Sequence, residues 1–177
     1  KKIEMIPQKL KELKKKFNHY RVDGYIIPKN DEYFSEFAIN DKLKTITNFN
    51  GSFGLAVILK KKNFLFVDGR YVEQAKMQSG ETFKILEIPK KLPYQILSSS
   101  LNLGFDPMVF TSRNLKYYFR NKNKLTPIKK SLIKSNTLKN FKSQKFYSLK
   151  PEIVGETVNN KIKRLIQILK KDGSDYL

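Results

Sequence analysis

Cysteine is absent from this 177-residue chain, so neither a disulfide framework nor a thiolate metal site can be built, which fits a reducing cytoplasm. Histidine occurs once, as His19 at the end of a basic helix pattern, where a favourable helix-terminal cation or a spectator is expected and no catalytic dyad can be built around it. No apolar run approaches the roughly 18 residues that a membrane span needs. The first residues also lack the apolar core and small-residue cleavage site of a secretory signal. The expected setting is cytoplasmic and soluble, with no membrane contact.

Arginine is scarce too. Arg21, Arg70, Arg113, Arg120 and Arg164 are five of 36 basic residues, and the other 31 are lysine. The formal charge of +20 produces a field that attracts nucleic acid, and a basic nucleic-acid-binding module is the rival reading. A dedicated binder of that kind draws on the guanidinium fork for phosphate and guanine. Here lysine is spread over every segment alongside abundant Asn and Ile, as a drift in composition would spread it. A solvated lysine surface, with no specific nucleic-acid partner, is the expectation.

What is present suits one domain of ordinary size with some excess, since 40% of residues are hydrophobic and 12% aromatic. Ile6, Leu10, Leu13 and Phe17 form one helical stripe, predicting a helix over 7–18 with a solvated lysine face. A buried strand over 22–27 ends at Pro28, and acidic residues open an expected short helix over 31–38. The runs 55–59 and 64–67, joined by four polar residues, predict an antiparallel hairpin. A helix over 70–78 follows, with Gly80 expected in the left-handed position beyond it. Strands at 83–88, 101–105 and 125–128 and a helix capped by Thr111 or Ser112 complete the alternation. The fold class is α/β, a mixed β-sheet flanked by helices.

After a polar stretch over 129–150, read as a short helix and a linker, Val158, Ile162, Leu165, Ile166 and Leu169 form a new stripe, stopped at Asp172-Gly173. Asp175, Tyr176 and Leu177 look like a strand being entered. Residues 10–27 and 162–177 therefore read as two copies of one opening unit, and the chain is expected to belong to a longer protein. The expected division is 1–145 as domain I, 146–156 as linker and 157–177 as the start of a second, similar domain.

Two blocks carry candidate chemistry. Asn50, Gly51 and Ser52, with Phe53 and Gly54, lack the Gly-Lys-Ser/Thr ending of a phosphate loop and precede a strand, so a tight turn with positive φ at Gly is expected. Asp68, Gly69, Arg70 and Tyr71 lie at a strand-to-helix junction. The plain reading has Asp68 capping the helix and Arg70 pairing with a nearby carboxylate. The functional reading places Arg70 where open α/β sheets present ligand-binding groups. Asp31, Glu32, Ser35 and Glu36 form an acidic cluster, thin as a metal or acid/base site because such residues commonly cap and solubilise a helix start.

These blocks resemble the amino-terminal domain of the aminopeptidase P group in the creatinase and prolidase metallopeptidase superfamily. Residues 47–54 match four of the six specified positions of its Ser-Gly-Phe-x-Gly-Ser-x-Gly block, with Thr47 at the Ser position and Asn48 at a glycine position that Asn can serve in left-handed geometry. Asp68 to Tyr71 reproduces its Asp-Gly-Arg-Tyr block. The segment from Asp31 resembles Asp-x-His-x-Ser-Glu-Tyr, with Tyr33 at the His position and Phe37 at the Tyr position. Gly104 to Pro107 and residues 151–164 also resemble family segments. The resemblance implies a Xaa-Pro aminopeptidase with three domains and a two-metal site of manganese or cobalt, held by two Asp, one His and two Glu in a later catalytic domain. It implies no catalytic or metal residue in this stretch, and Asn50, Gly51, Ser52, Asp68, Gly69, Arg70 and Tyr71 as candidates facing the substrate cleft or another domain. Its implied partners are domains II and III of the same chain, a second subunit in a homodimer, and a peptide with proline at the second position. A prolidase or creatinase-like hydrolase is the rival within the superfamily.

If the lysine surface is only solvated, binding to duplex DNA should be weak, indifferent to sequence and lost near physiological salt. A salt-dependent gel-shift series checks this, and sequence-selective nanomolar binding at that salt would favour the nucleic-acid module.

Overall fold

The computed structural model describes residues 5–35, 38, 40–133 and 147–174. It divides into two compact units, Lys1–Thr137 and Leu138–Leu177. The first is built on a six-stranded sheet in the order β4-β3-β2-β1-β5-β6. Its strands are β1 (Gly24–Pro28), β2 (Gly54–Leu59), β3 (Asn63–Asp68), β4 (Lys84–Ile88), β5 (Asn102–Phe105) and β6 (Lys124–Pro127). The hairpin is present, with Ala56 opposite Leu65 and Val57 opposite Phe64. β2 also runs antiparallel to β1, whereas β1 with β5, β3 with β4 and β5 with β6 are parallel. Every strand except β2 therefore points the same way, and five carboxyl ends meet the start of β2 along one edge.

The central strands are apolar on both faces because helices cover both. Tyr25, Ile27, Ala56, Ile58, Leu65 and Val67 face one core, shared with Leu10, Leu13 and Phe17 of the amino-terminal segment. The alternate residues, including Ile26, Val57 and Phe66, face a second core with Leu97, Phe110 and Phe119. The period-2 split of each strand between two cores is what a pleated ribbon imposes. Helices α1 (Met5–Lys15), α2 (Lys42–Thr47) and α3 (Val72–Ser79) lie on the first face, and α4 (Pro93–Ile96) and α5 (Ser112–Phe119) on the second. The cap of α5 is Thr111, whose hydroxyl accepts from Asn114 N at 3.1 Å. Phe119 is fully buried on its inner face.

The second unit contains α6 (Pro151–Val154) and α7 (Val158–Lys171), the latter capped by Thr157. The stripe read from the sequence is there, and Val158, Ile162, Leu165 and Ile166 are exposed. Asp175, Tyr176 and Leu177 lie outside the described residues, as does most of 129–150.

Three local expectations are corrected. Residues 31–35 form no helix: the Asp31 carboxylate accepts from the backbone N–H groups of Tyr33 and Ser35, both at 3.0 Å, and this side-chain turn replaces helical bonding. Glu36 and Phe37 lie outside the described residues. The helix in this region is α2, begun by Asp41. Gly80 has φ −61°, an ordinary right-handed value, and its smallness serves a close approach, since a Cβ there would lie 2.4 Å from the Lys76 carbonyl.

The third correction concerns residues 47–54. Neither Gly51 nor Gly54 has positive φ, and the left-handed residue is Asn48, at φ 66°, closing α2. The glycines answer to sterics instead. A Cβ on Gly51 would come within 2.3 Å of the Phe49 ring, and one on Gly54 within 3.2 Å of it. Phe49 is fully buried, so its ring cannot swing into solvent.

Gly51→Ala should therefore destabilise the fold by about 1–3 kcal/mol through overpacking. Asn48→Gly should be nearly neutral, whereas a β-branched residue at 48 should cost about 1–2 kcal/mol in the left-handed region. Urea denaturation checks all three, and an unchanged midpoint for Gly51→Ala would show that the Phe49 ring can yield.

Candidate functional site

Register brings the two sequence blocks together. Gly54 opens β2 opposite Val67 of β3, so the turn that precedes Gly54 and the residues that follow Asp68 share one end of the hairpin. The Phe49 ring meets Tyr71 edge-on, with centroids 6.0 Å apart and planes at 75°. Ser52 Oγ and Tyr71 Oη are hydrogen-bonded at 2.8 Å. Asn50 is held by α3: its N–H donates to Gln78 Oε1 at 3.0 Å, while its own Oδ1 accepts from Gln78 Nε2 at 2.9 Å and from Gln74 Nε2. Gln74 and Gln78 were not among the sequence candidates, although their i,i+4 spacing places them on one helix face.

Asp68 ends β3 in extended geometry and caps the 3-10 turn Gly69–Tyr71. Its Oδ1 accepts from Arg70 N and from Arg70 Nε, both at 2.9 Å. The Arg70 side chain is 72% exposed, and its guanidinium carbon lies 5.3 Å from the Tyr71 ring centroid. Both parts of the plain reading hold, with Asp68 capping and Arg70 pairing. The Arg70 side chain beside it, and then the Arg70 N–H, hold the Asp68 carboxyl below the usual carboxylate range. Gly69 fits because a Cβ there would lie 2.9 Å from Glu87 Oε1 on β4.

Further along the same edge is a charge network that sequence reading missed. Lys29, just past β1, pairs with Asp41, whose other oxygen accepts from Lys44 N at 2.8 Å to cap α2. Lys42 pairs with Asp106 at the end of β5, 3.0 Å away, and Asp106 caps the 3-10 turn Pro107–Val109. The signal was Asp41, three residues before Lys44 and ahead of Leu43 and Ile46, an N-cap pattern on a helix of only six residues. These partly buried pairs pin α2 and two strand ends to one another.

Between β1, β2 and α5 the edge opens into a cleft of about 250 Å³. Pro28, Gly54 and Leu55 line it from the sheet, Tyr118 from α5, and Ser52 joins it to the turn described above. Glu32 is exposed beside the Asp31 turn, and His19 is exposed in the turn after α1, edge-on to Tyr20 at 4.8 Å. No group of three His, Cys, Asp or Glu among the described residues could hold a metal ion. Among the described residues the donor set does not fit a two-metal centre.

This architecture defines a class. Residues 9–135 match the family model of the creatinase/prolidase N-terminal domain, and the chain belongs to that family. Its relatives include a probable Xaa-Pro aminopeptidase P of Coprinopsis cinerea, 33% identical over 137 residues, which are 70% of this chain and 22% of the relative. The X-prolyl aminopeptidase of Caenorhabditis elegans, described as a cytosolic enzyme with a di-nuclear active site, matches with TM-score 0.65 and 22% identity, over 96% of this chain and 32% of that one. The N-terminal domain of a putative metallopeptidase from Corynebacterium diphtheriae matches with TM-score 0.53 and 18% identity, over 68% of this chain and 94% of that one. The chain thus spans less than a third of the length of the Coprinopsis cinerea and Caenorhabditis elegans aminopeptidases.

Carboxyl-detected NMR titration should find Asp68 ionising below the ordinary carboxylate range, and Arg70→Ala should move it back toward that range. The charged carboxylate is the form that Arg70 holds. The local stabilisation is therefore present above the unfolded carboxylate pKa and is lost as pH falls through the lowered folded value. An unmoved Asp68 in Arg70→Ala would assign the whole shift to backbone donors.

Proposed function

We propose that this chain is the amino-terminal, non-catalytic domain of a cytoplasmic Xaa-Pro aminopeptidase, a metallopeptidase that removes an N-terminal residue preceding proline. The family match over residues 9–135 carries the reading, supported by relatives that are themselves Xaa-Pro aminopeptidases. In this reading residues 1–145 form domain I, 146–156 a linker and 157–177 the opening of a second domain. The peptide-cleaving centre, with two manganese or cobalt ions, belongs to a third domain of the same chain. The whole enzyme works as a homodimer. No helix among the described residues is long and apolar enough to cross a membrane.

The task of domain I is then to wall the substrate cleft and help hold the assembly. Asn50, Gly51, Ser52, Asp68, Gly69, Arg70 and Tyr71 supply a rigid surface for it. Phe49 and the Ser52–Tyr71 hydrogen bond lock the turn, so the edge meets its partner without reordering. Arg70 stands on that surface with its Nε on Asp68, which fixes the direction of its guanidinium. Such a fork holds a planar carboxylate, of a substrate or of the facing domain, in a way that a lysine ammonium cannot.

The chain alone should show no cleavage of Xaa-Pro peptides with added manganese. Metal-dependent turnover by the pure chain, abolished by a chelator, would overturn the assignment. In the full-length enzyme Arg70→Lys should lower turnover while the melting temperature stays within the range of an exposed pair, about 1 kcal/mol or less. Unaltered kinetics would leave Arg70 a local structural partner of Asp68.

A further inference from the structure

The cleft beside β1, β2 and α5 differs in character from the rest of the surface. In a chain with 36 cationic side chains, Lys29 is the one charged lining residue among the described residues, and that ammonium is matched by Asp41. The rest of the described lining is uncharged, with Phe34, Phe53, Phe110 and Tyr118 beside the amides of Asn30 and Asn114 and the small or aliphatic residues already named. With that charge matched, the described lining gives no advantage to phosphate or carboxylate. It selects an uncharged ligand with apolar surface and hydrogen-bonding capacity.

Two features of the lining are arranged toward the cleft space. Phe34 is held at φ 59°, a left-handed value that an aromatic residue adopts only under constraint. The constraint is the Asp31 turn: Asp31 O accepts from Phe34 N at 3.1 Å, and the Asp31 carboxylate holds the N–H groups on either side. Phe34 and Phe53 remain 47% and 38% exposed at the mouth. Deeper in, the Tyr118 hydroxyl and the Asn114 side-chain amide have no hydrogen-bond partner among the described residues. Ser52 and Asn30, by contrast, are already engaged, with Tyr71 and with the Val109 carbonyl. Burial pushes the Tyr118 hydroxyl above its ordinary range, so it remains a donor at any physiological pH.

Aromatic faces flanked by unengaged donors suit an extended chain in the polyproline II conformation. Its pyrrolidine rings pack on aromatic surfaces, and its carbonyls have no internal donors. We propose that this cleft binds an uncharged, proline-containing stretch of peptide, with prolyl rings against Phe34 and Phe53 and carbonyl oxygens accepting from Tyr118 and Asn114. The inference deepens the Xaa-Pro aminopeptidase reading by giving domain I its own hold on peptide away from the scissile bond.

The test is an NMR titration of this chain with an oligoproline acetylated at its N-terminus and amidated at its C-terminus, so that no aminopeptidase chemistry enters. A blocked Gly-Ser peptide of equal length is the control. Saturable shifts confined to residues around Phe34, Phe53, Asn114 and Tyr118, absent with the control, are expected. Phe53→Ala and Tyr118→Phe should each weaken binding by roughly fivefold or more, as loss of one apolar wall or one hydrogen bond implies. Their unbound spectra should stay as dispersed as that of the parent. No saturable shift, equal shifts with the Gly-Ser peptide, shifts mapping elsewhere, or full affinity in both folded variants would overturn the proposal. Failure of the aminopeptidase reading would appear separately, as a full-length protein that binds oligoproline but cleaves no Xaa-Pro peptide.

Discussion

One buried ring organises the edge on which every functional candidate stands. Phe49 follows the left-handed Asn48 at the end of α2 and is fully enclosed between the turn, β2 and Tyr71. Its volume forbids a side chain at Gly51 and crowds one at Gly54. With both positions bare, the turn closes far enough for Ser52 to reach the Tyr71 hydroxyl. A turn near residue 50 and a junction near residue 70 become one surface because an aromatic ring fills the space between them.

The sheet makes that surface possible by its direction. Five strands deliver their carboxyl ends to one edge, and antiparallel β2 begins there, so six chain segments enter or leave within a short distance. Such an edge gathers backbone groups that no ladder satisfies. Asp41, Asp68 and Asp106 each answer part of that demand by capping, and Asp41 and Asp106 also draw in Lys29 and Lys42. A half-buried pair gains more than a surface pair from the lower dielectric, yet desolvation offsets much of that gain. The network matters chiefly for geometry, because it fixes where α2 and the ends of β1 and β5 lie.

The strongly basic composition has little influence on this edge. Lysines are distributed over solvated helix faces such as that of α1, whereas the cleft is neutral and aromatic. Net charge therefore predicts how the chain behaves toward salt and polyanions. Among the described residues the one charged side chain lining the cleft, Lys29, is matched by Asp41, a local arrangement that net charge does not reveal.

The hairpin, the two-faced core strands, the helix at 112–119 and the basic amphipathic α7 could all be read from residue order, because hydrophobic period and capping chemistry are local properties. So could the family resemblance, whose blocks are short and contiguous. The segment after Asp31 could not, since its acidic residues fit a helix start equally well, and the side-chain turn that Asp31 makes depends on competition between two local bonding schemes. α2 escaped notice because six residues are too few for a period to declare itself. The reason for Gly51, the Gln74 and Gln78 hold on Asn50, the Lys29–Asp41 and Lys42–Asp106 pairs and the neutral cleft all rest on contacts between residues far apart in the chain. Such contacts exist only once sheet register has set which strand ends stand side by side, and register is a property of the assembled core rather than of any one segment.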